Sequence, residues 1–322
     1  MSRRGWLLFA AMGLIWGIPY LLIKVAVGDL SPATLVFFRT FIGATLLLPV
    51  AALRGNLGPL RAHWRIVLVY TLIEVALPWF LLADAERRLS SSFTGLLVAA
   101  VPLVGAVLAW RTRAEYRLDR IRVAGLLIGF AGVAALLGLN ITIHDLGAVG
   151  EVAGVSVCYA VGPVIITRRL STVPAVGVVA ASLGITALIY TPLGLLQMPR
   201  HVPSTAVLSS VVGLGVVCTA LAFVVFFALI AEVGPVRATV ITYVNPAVAL
   251  GLGVVLLHEP FTAGVLLGFA MILVGSVVTN RPDPRSSPTS SPTSSPAQPP
   301  AGAGTEAPAV GVPRQAQGNI DS

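Results

Sequence analysis

Four ionisable side chains, Lys24, Arg39, Glu74 and Glu151, fall within runs of apolar residues long enough to cross a bilayer. A charge at that depth costs about 2.5–3.5 kcal/mol on insertion scales, so each one calls for a function or a partner. Lys24 comes late in its run and Arg39 early in the next, which places both in the outer third. A long cationic side chain there can also snorkel to the interface. Arg39 is the deeper of the two and follows Phe37 and Phe38. It reads as a cavity-facing cation that pairs with Glu151 or with a solute carboxylate. Glu151 opens its own run, where the positive end of a helix also favours an acid. Glu74 lies eight residues into its run and has no such explanation. It is the strongest candidate for coupling to protons or holding a solute amine, the alternative being a buried structural pair with a basic residue. Glu74 and Glu151 are therefore the candidate coupling residues, and an inward proton would supply about 2.3 kcal/mol per 100 mV.

Six prolines within the apolar runs, Pro19, Pro78, Pro102, Pro163, Pro192 and Pro246, are candidate kinks. Each frees a carbonyl one turn back and is expected to kink its helix. Trp16, Tyr20, Trp79, Tyr159, Tyr243 and Asn245 lie near these prolines. Together with Arg39 they offer aromatic walls and a few polar handles, the lining expected of a small-molecule site. Taken singly, each also suits packing or interface anchoring.

Chemistry of other kinds finds no residues to carry it. Asp29, Asp84, Asp119, Asp145, Asp283 and Asp321 fall at run ends, in connections or in the C-terminal segment, as do His63, His144, His201 and His258. No His-Glu-x-x-His pair and no Gly-x-x-x-x-Gly-Lys-Ser/Thr loop occurs, which argues against an intramembrane hydrolase and against direct ATP drive. Two cysteines, Cys158 and Cys218, are too few for a metal cluster or a disulfide framework. No metal and no cofactor is expected.

These residues are held by an unusually apolar chain. Of 322 residues 56% are hydrophobic and 11% charged, against roughly 25% charged in a soluble domain, and mean hydropathy is +0.91. Apolar runs occur at Trp6–Val27, Ala33–Leu53, Ile66–Ala85, Phe93–Trp110, Ile121–Leu139, Gly147–Thr167, Val173–Leu196, Thr205–Ile230, Val236–Leu257 and Ala263–Thr279. Each matches the roughly 20 residues that a spanning helix needs. The first run is longer than a signal-peptide core and lacks a cleavage site, so it reads as a retained helix. Residues 280–322 carry nine of the 23 prolines and Ser/Thr repeats, the composition of a disordered tail.

Ten spans put both termini on one side. That side then receives 16 arginines in its loops and termini, and the opposite loops only Arg87, Arg88 and Arg200. The positive-inside rule makes the termini cytoplasmic. The formal net charge of +8 thus follows from topology and contact with anionic lipid, with no nucleic-acid partner implied.

A repeat is visible. Pro102 and Pro246 each lie mid-run, and Glu115 and Glu259 each follow 13 residues later, an offset of 144 in both cases. Gly125–Gly132 matches Gly268–Gly275 with one residue deleted, and Pro32 aligns with Pro174. Five spans is an odd number, so the second copy would enter the membrane inverted, as in alternating-access carriers. The Gly125–Gly129 and Gly264–Gly268 spacings fit close helix packing, with a dimer seam left open.

At these positions the chain resembles the drug/metabolite transporter superfamily, in its ten-helix EamA-type form. The resemblance rests on Trp16-Gly17, Ser31-Pro32 followed by Arg39, and the proline-to-glutamate stretches that end at Glu115 and at His258-Glu259-Pro260. Arg113-Ala114-Glu115-Tyr116 departs from it by lacking the proline after the glutamate. It implies an all-α polytopic membrane protein of ten helices in two inverted five-helix repeats. The repeats are residues 1–139 and 140–279, and 280–322 form a cytoplasmic tail. The function expected is a secondary active transporter of the plasma (inner) membrane, not an enzyme. It would move a small metabolite, amino acid or drug by alternating access, often outward in that family, with protons as the candidate coupling ion; the residues fix neither direction nor ion. The alternatives are a lipid or hydrophobic-solute translocator and a channel-like permease. The partners are the solute and the bilayer; the residues do not specify an oligomeric state.

Overall fold

The computed structural model describes residues 1–112, 119–140, 145–238 and 240–281. Glu115, His144 and the Pro/Ser/Thr-rich tail beyond residue 281 lie outside them. Among the described residues every regular element is helical. The helices are α1 (Arg3–Ala26), α2 (Pro32–Leu53), α3 (Trp64–Thr71), α4 (Leu77–Arg88), α5 (Ser91–Val98), α6 (Val101–Thr112) and α7 (Arg120–Asn140). They continue as α8 (Leu146–Arg169), α9 (Ala175–Leu196), α10 (Thr205–Gly215), α11 (Ala222–Val233), α12 (Pro235–Ala238), α13 (Ile241–Leu256) and α14 (Ala263–Thr279). A π-helical segment, Leu72–Ala76, joins α3 to α4, and a second, Val216–Leu221, joins α10 to α11.

Local sequence explains the starts. Ser2, Ser31, Ser90, Ser204 and Thr262 each cap a helix by accepting an N–H three residues on, at 2.9–3.3 Å. Pro32 follows its cap at the first helical position, where its missing N–H costs nothing. Eight helical segments are long and apolar enough to cross a membrane: Arg3–Ala26, Pro32–Leu53, Gly58–Arg88, Ser91–Thr112, Arg120–Gly138, Leu146–Arg169, Ala175–Leu196 and Thr205–Val233. Ile241–Leu256 and Ala263–Thr279 are shorter apolar helices. Leu127, Leu188 and Leu266 point outward from mid-helix, which suits a lipid surround and not water. The chain is thus a multi-span membrane protein.

Packing depends on glycines where backbones meet. Gly125 lies against Thr279, Gly132 against Gly268 and Gly275 against Gly129, so α7 and α14 press their small-residue faces together within one chain. Gly125, Gly129 and Gly268 of the spacings noted in the sequence take part in this contact. Gly13 and Gly17 admit Val244 and Val248 of α13 against α1. The other extensive pairings are α2 with α9, α4 with α8, and α5 with α13.

Proline did not locate every break. Pro19, Pro163, Pro192 and Pro246 sit inside continuous helices. Pro78 and Pro102 are the second residues of α4 and α6, directly after an interruption. The second π segment contains no proline at all.

Candidate functional site

Arg39 of α2 occupies the centre. Its side chain is 7% exposed, its Nε donates to Thr219 Oγ1 at 3.1 Å, and its guanidinium carbon lies 3.7 Å from the Trp79 ring centroid. A desolvated cation–π contact of this kind contributes about 2 kcal/mol. Thr219 belongs to the second π segment and Trp79 to α4, so one cation ties together elements from distant parts of the chain. Tyr20 of α1 and Tyr159 of α8 lie within electrostatic reach of it. Tyr159 packs against two core clusters, one built around Tyr20 and Leu82 and the other around Trp79 and Leu183. Tyr20, Arg39, Trp79 and Tyr159 therefore converge, and Tyr20 and Trp79 are as fully covered as Arg39. Tyr159 is only partly buried.

Glu74 stands beside this group. It lies in the first π segment and abuts Gly162 of α8, where any side chain would overlap its carboxyl. Its Oε2 is buried without a hydrogen-bond partner. Tyr70, Cys158 and Tyr159 are the groups within electrostatic reach. Among the described residues no basic side chain bonds it, so the structural ion pair weighed from the sequence is not seen there. Tyr190 donates to the Ala76 carbonyl at 3.0 Å, satisfying a backbone oxygen where the π segment ends.

A second polar group lies at the end of the molecule remote from the N-terminus. Lys24 does not snorkel outward. Its Nζ donates to the Glu86 and Leu89 carbonyls, both at 2.7 Å, satisfying the last turn of α4. Glu259 accepts from the Ser91 and Ser92 amides, each at 2.8 Å, and so seats its carboxylate on the first turn of α5. Glu151 pairs with Arg88 at 2.6 Å, and Arg88 also holds Asp84 at 2.8 Å. The anticipated pairing of Arg39 with Glu151 is thus replaced. α4 runs three residues past Ala85, which carries Arg88 to Glu151 at the helix end while Arg39 turns inward to Thr219 and Trp79.

The remaining candidates sit apart. Trp16 packs on Phe226 and Phe223, with ring centroids 4.7 and 6.2 Å away, and Phe223 in turn packs against the Trp79 cluster. Asn245, with its NH2 facing acceptors, donates to Gly13 O at 3.2 Å and Ile241 O at 3.0 Å, a tie between α13 and α1. Tyr243 is half-buried near Asn280. Two central residues escaped the sequence reading. Thr219 looks like an ordinary apolar-run hydroxyl. Glu86 fell one residue beyond the anticipated run end, yet is completely buried. The i,i+3 and i,i+4 spacing of Asp84 with Arg87 and Arg88 was the available sign that the helix continues past it.

Outside the spans, Asp119 caps α7. The Arg122 amide donates to it at 2.8 Å and Arg281 bridges it at 2.6 Å, and these hold its carboxyl below the usual range.

Comparison with known proteins places this arrangement. The model of the EamA-like transporter family matches residues 3–138 and again 149–281. The uncharacterized transporter YvbV of Bacillus subtilis (strain 168) is 27% identical over 278 residues, covering 85% of this chain and 90% of its own. The uncharacterized inner membrane transporter YedA of Escherichia coli (strain K12) is 28% identical over 277 residues, covering 82% and 88%. A solved crystal structure, described only as that of a protein, superposes with a TM-score of 0.63 at 25% identity, over 87% of this chain and 98% of its own.

Proposed function

Because the chain belongs to the EamA-like transporter family, we propose that this membrane transporter is a secondary active carrier. It exports a small metabolite, amino acid or drug across the inner membrane by alternating access. The observation that carries this reading is the cluster of buried Arg39, Trp79 and Tyr20 with partly buried Tyr159, a cation among aromatic rings inside the helix bundle. Such a site suits a solute held in an occluded state between inward and outward opening.

Ten spans in two inverted repeats support the rocking motion. Ile241–Leu256 alone rises about 24 Å, short of about 30 Å of hydrocarbon, and α12 just before it supplies further length. The family matches twice, and the pairings of α7 with α14 and of α2 with α9 join like-placed helices of the two matches. The two π segments also begin 144 residues apart, at Leu72 and Val216, the offset that relates Pro102 to Pro246. With both termini cytoplasmic, the Lys24–Glu86–Glu259 group faces outward.

Arg39, Tyr20, Trp79 and Tyr159 bind the solute in this reading, and Trp16, Tyr243 and Asn245 shape the walls behind them. Glu74 and Glu151 couple movement to protons, Glu151 through its bridge to Arg88. The test compares solutes released by cells that overproduce the wild type or Arg39→Ala. The reading predicts a set of released solutes that depends on the cation and collapses when the proton gradient is dissipated. Release that survives both changes would overturn it. Tags near Glu115 and Glu259 should report opposite compartments.

A further inference from the structure

Glu86 is the one acid in the described residues whose two carboxyl oxygens are both buried without a partner, and its side chain is 0% exposed. The nearest cations do not bond it. Lys24 spends its hydrogen bonds on the carbonyls of Glu86 and Leu89, and Arg39 reaches Thr219 and the Trp79 ring. Around Glu86 stand Lys24 and Tyr20 of α1, Arg39 of α2, and Glu259 after α13, with Tyr159 of α8 beyond Tyr20. On its own helix Asp84, Arg87 and Arg88 engage one another and Glu151. Glu259 brings a second negative charge to the same end, already fixed on the α5 amides.

An ionised carboxylate with neither oxygen paired costs several kcal/mol in such a place, and distant cations offset only part of it. When the outer end opens, water or Lys24 can reach the carboxylate and the cost disappears. We propose that Glu86 is a proton-carrying residue of the transport cycle, which takes a proton as the outer end closes over it and gives the proton up when that end opens. The proton binds one carboxyl oxygen and leaves to water, with no other bond changed. This places a candidate proton site at the outer end, apart from Glu74 at the π segment. The inference rests on the carrier reading for the use made of the proton, but its presence is measurable with no solute.

Infrared spectra of the purified full chain in lipid nanodiscs, at neutral pH, read protonated carboxyls directly. Glu86→Gln should lose one carboxyl's share of the carboxylic-acid carbonyl band, and Glu74→Gln should leave that share in place. Glu86→Met, apolar and of similar length, gives the same reading should the amide variant not fold. A band of wild-type intensity in the folded Glu86 variant would mean that Glu86 is ionised in the closed state, and would overturn the proposal. Solute release that proved independent of the proton gradient, with the Glu86 share of the band present, would sink the carrier reading and leave the proton site standing.

Discussion

The two π-helical segments share a backbone device and differ in what they present. In both, one residue is squeezed into a helix that would otherwise run on, a feature that recurs at functional sites. The first places Glu74 against Gly162 with an oxygen unpaired. The second, in matching register, places Cys218 and Thr219 there, and Thr219 accepts from Arg39. One segment thus carries a group that can change charge, and the other fixes a cation that cannot. The difference teaches that two matching backbone devices need not carry the same chemistry, since one holds an unpaired acid and the other a hydroxyl that orients Arg39 of α2.

The sharpest way to break this division is to remove the cation. Arg39→Ala forfeits a contact worth about 2 kcal/mol, and solute release from intact cells should fall about thirtyfold. Unchanged release would show that the second segment grips nothing of functional weight. Glu74→Gln comes next: release should lose its dependence on external pH while the protein still purifies as a folded monodisperse species. A preserved pH profile would remove the first segment's coupling role.

Two glycines then make a matched pair. Gly162→Ala drives a methyl into Glu74, and Gly215→Ala drives one into Ile42 at 2.6 Å. Overpacking costs about 1–3 kcal/mol in either case, so both thermal midpoints should drop. Only Gly162→Ala should also shift the pH profile, and a shift in both would erase the contrast. The smallest effect is expected far from either segment. Asp119, held low by the Arg122 amide and Arg281, stabilises above the unfolded aspartate range of about 3.9 and loses that contribution as pH falls through its lower folded value. Asp119→Asn should lower the thermal midpoint slightly at neutral pH, with the difference vanishing in strong acid.

Helix positions were legible because lipid imposes the same demand on every span: about 20 apolar residues with capped ends. Ser31-Pro32 and Thr262 mark their helix starts from local chemistry alone. The π segments left a fainter trace. Pro78 stands just past the first and no proline stands near the second, so only the 144-residue offset could have carried the one to the other. Among the site residues, Arg39, Tyr20, Trp79 and Tyr159 were selected by type and depth, and they meet. Asn245 and Glu151 were selected by the same criteria and do not join them, because depth along a helix leaves its facing direction open.

Apolar length, arginine placement and the paired proline–glutamate spacing are one-dimensional quantities, and the order of residues alone determined a multi-span helical membrane protein with a repeated pattern. Which acid lacks a partner was decided by packing. Glu86 falls one residue past the end of its apolar run, yet α4 runs on past it and α1 and α2 pack against that helix. Burial and pairing depend on what arrives from distant parts of the chain, and no local pattern encodes that arrival.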